Sequence, residues 1–368
     1  MMPTSKVDIS SVGDNLYASL SQAIERVGGL SVSGDTVLIK PNLVLPSSYK
    51  TGETTNPYLV EAMVRWCFDH GARDVIIGEG PSYYQPESQL VDCFTKTGIT
   101  NVAERTGARW VLFDDYPFQT FRNVADCTPR EFRITRFAFD CDKIINIPVM
   151  KTHYLTKVTL AMKNLKGCLK REDKPKFHYI DLNRAIVELN KIIRPSLNIV
   201  DGTVALRPDS GAIVIGQDVV AVDSVSCSLM GVDPKEVRTV LLGAEAGLGE
   251  MDMTRMDITG EELKRLKIKV TLPKEELKRR FPLLELITAE KACSGCLIPL
   301  FSALSSLEAE GRQMKKALSI VIGTEAKPKE GKDYIFIGDC TKVSWGKGAH
   351  LEGCPPDKED LTKLLQEK

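Results

Sequence analysis

Thr36-Val-Leu-Ile-Lys40, stopped by Pro41-Asn42, decides the fold. It is a short, largely apolar run closed by a proline, the pattern of a buried strand. Asn56-Pro57 then places an N-capping side chain before a proline at the first helical position, which opens a helix through Asp69. Gly71 ends that helix, and Asp74-Val-Ile-Ile-Gly78 reads as the next strand. Gln89 to Thr106 reads as a helix and Trp110-Val-Leu-Phe113 as a strand. Upstream, Asp14 to Val27 carries Leu16, Leu20, Ala23 and Ile24 at helical spacing. Strand, helix, strand, helix, strand in that order builds a parallel sheet covered by helices.

The second half continues the alternation. Lys143-Ile-Ile-Asn-Ile147 and Leu197-Asn-Ile-Val200 read as strands. Asp181 to Ile193, Asp218 to Met230 and Glu236 to Ala246 read as helices. Beyond about residue 255 Lys and Glu become denser, which puts a domain boundary near 270. The expected architecture is therefore α/β. A mostly parallel sheet covered by helices spans 1–270, and a smaller C-terminal α/β four-cysteine module spans 271–368. In that module Leu318 to Ile322 and Tyr334 to Ile337 read as strands, and Leu297 to Met314 and Asp357 to Gln366 as helices.

The 368 residues are 43% hydrophobic and 27% charged, as in ordinary globular chains, and the formal net charge is zero. A neutral chain is not built for broad electrostatic attachment to nucleic acid or membrane. No apolar run approaches the ~18 residues of a membrane span. The first eight residues carry no export signal, so the ten cysteines are expected to be cytoplasmic thiols. Cys67 and Cys227 fall in apolar helical patterns and read as core.

Four other cysteines have a different pattern. Cys293-Ser-Gly-Cys296, Gly338-Asp-Cys340 and Gly353-Cys354-Pro-Pro356 combine a close pair with two glycine-flanked singles. Together they could supply four thiolates, the preferred ligands of zinc and of iron–sulfur clusters. Structural zinc sites usually pair two CxxC knuckles, whereas here Cys340 and Cys354 are widely spaced and a proline follows the last cysteine. That favours a [4Fe–4S] cluster, with Zn2+ as the alternative.

Lys151 to Lys176 holds a local excess of cations, including Lys151, Lys157, Lys163, Lys166, Lys170, Arg171, Lys174 and Lys176. It starts directly after a strand, where open α/β sheets bind ligands. Lys151, Thr152 and His153 are therefore candidates for holding a carboxylate or phosphate. So is the loop Lys163-Asn164-Leu165-Lys166-Gly167, whose glycine permits close backbone approach. Lys174 and Lys176 read as a solvated basic face. Stacking rings are few (Tyr154, Phe177, Tyr179), so nucleic acid is not the expected ligand. Lys40 and Asn42 close one strand and Glu79 closes the next, so all three could face one cleft, with Lys40 and Glu79 as an acid/base pair or a plain ion pair. Asp201 and Asp223 are weaker candidates. The P-loop, GxGxxG, HExxH and GxSxG motifs are absent.

These residues resemble a known family. Val37-Leu-Ile-Lys-Pro-Asn-Leu43, Thr55-Asn-Pro57 and Val75-Ile-Ile-Gly-Glu-Gly80 are similar to the opening of the DUF362 domain. Ile144 through His153 and Met162-Lys-Asn-Leu-Lys-Gly167 are similar to its middle. Ile199-Val-Asp-Gly202, Asp218 through Asp223 and Leu229-Met-Gly231 are similar to its end. The resemblance implies association with iron–sulfur chemistry, often through an added ferredoxin domain; this chain offers Cys293, Cys296, Cys340 and Cys354 instead. It also implies an N-terminal fold distantly like that of lactate-racemase-type proteins. The expected function is an iron–sulfur enzyme acting on a small anionic metabolite, its cluster either passing electrons, with a redox partner protein as one candidate partner, or binding substrate as a Lewis acid. In that reading Lys40, Lys151, His153 and Glu79 form the reacting site. The alternatives are an electron carrier or assembly protein with a structural metal, and an isomerase or hydro-lyase without net redox chemistry.

Overall fold

The computed structural model describes residues 4–366 apart from 14, 179, 206–210, 289–291, 293, 312–315, 325, 327–333 and 345–347. The chain divides into two compact units, Met1–Lys174 with Asn183–Val270, and Pro175–Leu182 with Thr271–Lys368.

The first unit is built on β1 (Lys6–Ser11), β2 (Thr36–Pro41), β3 (Asp74–Glu79) and β4 (Arg109–Leu112). An antiparallel pair follows, β5 (Phe118–Arg122) with β6 (Glu131–Thr135), and then β7 (Lys143–Ile147). A short hairpin, β8 (Lys151–His153) with β9 (Lys157–Thr159), precedes β10 (Leu197–Gly202), β11 (Ala212–Gly216) and β12 (Asp257–Gly260). Eight of these strands form one sheet in the order β12-β1-β11-β10-β7-β2-β3-β4. Only β11 runs against the others, because its pairings with β1 and β10 are antiparallel and the remaining pairings are parallel.

The central strands are apolar on both faces, as a sheet covered by helices requires. Val37, Leu38 and Ile39 are fully buried, as are Val75, Ile77 and Ile145. Each such side chain contributes roughly 1.5–3 kcal/mol by leaving water. The helix Pro57–Asp69 begins as expected, with the Asn56 side chain accepting from the Tyr58 amide and proline in the first turn. Leu59, Val60, Met63, Val64 and Cys67 of that helix are buried in the core. The expected single helix from Gln89 to Thr106 is broken. Short helices at Asp92–Thr95 and Ile99–Thr106 are separated by Gly98, whose φ of +86° is outside helical space. Asp14, expected to open the first helix, lies outside the described residues; Asn15 caps the helix Leu16–Arg26.

In the second unit β13 (Leu284–Thr288), β14 (Leu318–Ile322), β15 (Tyr334–Ile337) and β16 (Gly348–Leu351) form a four-stranded sheet in sequence order, parallel throughout. The helices Ser294–Ala309 and Lys358–Gln366 pack together, with Leu300, Leu304, Leu361 and Leu365 buried. Among the described residues no helix is long and apolar enough to cross a membrane.

Candidate functional site

Within the large sheet the chain moves outward from β2 to β3 and β4, then returns to the other side of β2 with β7 and β10. The reversal leaves a switch point beyond the carboxyl ends of β2 and β7, the usual ligand position in open α/β sheets. The candidate residues of the first unit gather there.

Lys40, the penultimate residue of β2, is fully buried, and its Nζ lies 2.8 Å from Glu79 Oε2 at the end of β3. Nζ also donates to the Pro41 carbonyl at 3.0 Å. Glu79 accepts from the Leu43 amide at 3.3 Å and the Gly80 amide at 2.9 Å. Gly167 lies so close to the pair that its backbone seals it. Its neighbour Cys168 is buried, and burial pushes that thiol up to about 12. The pair therefore organises two strand ends beneath a loop, which fits the plain ion pair better than a solvent-facing acid/base couple.

A row of asparagines runs across the neighbouring strand ends. Asn42 Nδ2 donates to Asn164 Oδ1 at 2.9 Å, and Asn164 Nδ2 to Asn146 Oδ1 at 2.8 Å. Asn146 Nδ2 donates to Asn198 Oδ1 at 3.0 Å, and Asn198 Nδ2 to the Gln217 carbonyl at 3.4 Å. Lys151 joins the other end, its Nζ donating to Asn42 Oδ1 at 3.1 Å and to the Glu53 carbonyl at 2.7 Å. Thr55 ties the strands as well, accepting from the Asn42 amide and donating to the Ile147 carbonyl, each at 2.8 Å.

The basic residues concentrate on the hairpin and the turn after it. Lys151 faces Thr159 across the β8–β9 ladder, and Lys163 Nζ reaches back to Thr159 Oγ1 at 3.2 Å. Burial holds the Lys151 ammonium down to about 8, with the carboxylates of Glu53 and Glu79 acting against it. Lys163 is held well below the ordinary lysine value, first by burial and then by repulsion from Lys166 and Lys151. Thr152 lies in the same hairpin opposite Val158. His153 uses its Nδ1 to accept the Leu155 and Thr156 amides, so it holds the hairpin turn in shape.

Three further residues matter more than their sequence context suggested. Lys174 is buried rather than solvated, donating to the Gly80 and Pro81 carbonyls at 2.6 and 2.8 Å. Burial lowers it to about 8. Asp201 accepts the Asn56 amide at 2.7 Å and the Thr203 amide at 3.0 Å, which fixes the helix Pro57–Asp69 on the end of β10. Asp223 accepts the Ala161 and Met162 amides at 2.7 and 3.1 Å, and burial raises it to about 7. It anchors the turn that presents Lys163 and Asn164. Sequence offered one signal for the two aspartates: each is a single acidic residue in an otherwise apolar segment.

In the second unit Cys296 is buried in the first turn of the helix Ser294–Ala309. Cys340 follows β15, and Cys354 is exposed. A Cβ on Gly338 would lie 2.6 Å from Cys296 Sγ, 3.8 Å from Cys340 Sγ and 3.7 Å from the Gly353 carbonyl, so three of the cysteine-bearing loops meet at this glycine. Cys293 lies outside the described residues. Among the described residues no three His, Cys, Asp or Glu side chains are grouped closely enough to hold a metal ion.

A thylakoid-associated protein of Synechocystis is 28% identical over 257 residues, covering 64% of this chain and 76% of that protein. Among solved structures, the lactate racemase apoprotein from Thermoanaerobacterium thermosaccharolyticum is similar at 14% identity and a TM-score of 0.38. That likeness covers 56% of this chain, which spans about half of the racemase (53%). A protein from Thermotoga maritima is similar at 14% identity and a TM-score of 0.41, covering 86% of this chain and 72% of that one. The profile described as domain of unknown function DUF362 matches residues 37–228, just over half of the chain. That stretch contains Lys40, Glu79, the asparagine row and the lysines of the hairpin and turn, and it ends before the four cysteines: the chain belongs to the DUF362 family.

Proposed function

We propose that the first unit binds a small carboxylate- or phosphate-bearing metabolite beyond the carboxyl ends of β2 and β7, and that the second unit carries a [4Fe–4S] cluster. The grouping of Lys151, Lys163 and Lys166 on one hairpin and its following turn carries the anion reading. Neighbouring lysines held out of water repel one another, and an anion placed among them relieves both the repulsion and the lost hydration. The basic cluster is confined to a short hairpin and one turn, an extent that suits a metabolite better than a nucleic-acid track, in a chain with no net charge. Lys151 and Lys163 would grip the anion, Lys166 would add charge, and Asn42 and Asn164 would hold Lys151 and the turn in place.

Calorimetry with inorganic phosphate and with glycolate tests this. Lys151→Met and Lys166→Met should each weaken binding about tenfold, the loss of one charge-assisted hydrogen bond of ~1.5 kcal/mol. Unchanged affinity in both variants would remove the site.

For the second unit the donor chemistry fits the cluster. Cys296 and Cys340 present sulfur to a glycine without a Cβ, and Cys354 belongs to the adjoining loop. Cys293, Cys296, Cys340 and Cys354 would be its ligands. A cluster held there supplies one-electron transfer to or from a redox partner protein. Anaerobic purification followed by iron and sulfide analysis and an electron paramagnetic resonance spectrum tests it. A colourless protein with one zinc and no sulfide would replace the redox reading by a structural metal site.

A further inference from the structure

Lys163 is half-buried, and its partners differ from those of the other lysines gathered at this end of the sheet. Lys40 is paired with Glu79, Lys151 donates to two oxygens, and Lys174 donates to two carbonyls. Lys163 Nζ makes one hydrogen bond among the described residues, to the neutral hydroxyl of Thr159. Thr159 is itself buried and stands opposite Lys151 in the ladder, and Lys166 and Lys151 are the cations that repel the Lys163 ammonium. Cationic neighbours around a dehydrated amine are the arrangement that makes a lysine nucleophilic.

We infer that Lys163 is an imine-forming nucleophile, and that the anionic ligand of this site is an oxo acid or a phosphorylated aldehyde or ketone whose carbonyl carbon it attacks. The inference rests on the anion-binding reading above and narrows it to carbonyl compounds. The neutral amine donates its electron pair to the carbonyl carbon, forming an N–C bond while the C=O π pair moves to oxygen. The nitrogen passes one proton to that oxygen, the oxygen takes a second from solvent and leaves as water, and the nitrogen lone pair closes the C=N bond to give an imine that is protonated on nitrogen. No oxidant or reductant is consumed. The anionic end rests against Lys151 and Lys166, which places the carbonyl toward Lys163. An ordinary lysine is about one part in a thousand free amine near pH 7.4, and the depressed basicity of Lys163 raises that fraction.

The test uses the full chain with glyoxylate and sodium cyanoborohydride at pH 7.4, followed by peptide mass mapping. Stable carboxymethylation is expected at Lys163 at least about tenfold above any other lysine, and Lys163→Arg should remove it. Glycolate, which has the same carboxylate and no carbonyl, is titrated in parallel by calorimetry. Glycolate binding without trapping at Lys163 overturns the inference and leaves the anion site standing. Trapping at Lys151, or evenly over surface lysines, also overturns it. Absence of glycolate binding removes the anion site and this inference with it.

Discussion

Gly167 touches Glu79: a Cβ added to the glycine would lie 2.0 Å from Glu79 Oε1, and 2.5 Å from Lys40 Nζ. No side chain larger than hydrogen fits there while the Lys40–Glu79 pair stays closed. Gly167→Ala should therefore destabilise the protein by about 1–3 kcal/mol, the usual cost of overpacking. Gly107→Ala is a control for steric crowding, since a Cβ there meets nothing within 4 Å; Gly107 has a φ of +78°, so it carries backbone strain of its own. Equal urea midpoints for Gly167→Ala and wild type would show that the loop yields freely.

Glu79→Gln leaves the Lys40 ammonium buried without its carboxylate. A loss of about 3–5 kcal/mol is expected, because an uncompensated buried charge costs more than the intact pair contributes. Adding Lys40→Met should recover part of that loss. Chemical denaturation of the single and double variants reads both, and a double variant less stable than Glu79→Gln would contradict the ion-pair account.

Asp223 gives a pH dependence of definite sign. Its folded-state value of about 7 stands above the ~3.9 of an unfolded aspartate. Between those values the folded chain binds more protons than the unfolded chain, so this residue's contribution is complete below about pH 4 and fades as pH rises through about 7. Lys174, lowered to about 8, acts in the opposite sense: its contribution grows as pH climbs from about 8 toward about 10.4. Melting temperatures of Asp223→Asn should fall less steeply than wild type between pH 4 and 7. Parallel curves would mean that Asp223 does not titrate in that window.

Gly338 holds the cysteine loops of the second unit together, with a φ of +92° and Cys296 Sγ only 2.6 Å from the point where an alanine Cβ would stand. On the cluster proposed above, Gly338→Ala should lower the iron bound per chain after anaerobic purification at least as much as Cys354→Ser does. Full iron content in Gly338→Ala would separate the metal from this loop junction.

The parallel core was legible because strands such as Thr36–Pro41 and Lys143–Ile147 are short apolar runs bounded by proline or turns. The strand Lys6–Ser11 was not, because Asp8 and Ser10 interrupt its apolar pattern. Both are buried, and Asp8 draws on partners distant in the chain, Arg26 and Thr259. The helix expected from Gln89 to Thr106 failed at Gly98, where periodicity hides a turn. At the site, the ends of β2 and β3 marked Lys40, Asn42 and Glu79 directly. Burial of Lys174 was invisible in a run of charges, and the asparagine row joins residues far apart in the chain.

That row has a direction. An ammonium can only donate and a peptide oxygen can only accept, so Lys151 at one terminus and Gln217 at the other impose the same arrow on every amide between them. Turning any single amide around would set oxygen against oxygen on one flank and donor against donor on the other. A glutamate in place of Lys151 would demand the reverse arrow, and the carbonyl at the far terminus forbids it. The strand ends are thus wired for a cation at position 151, whatever the ligand brings.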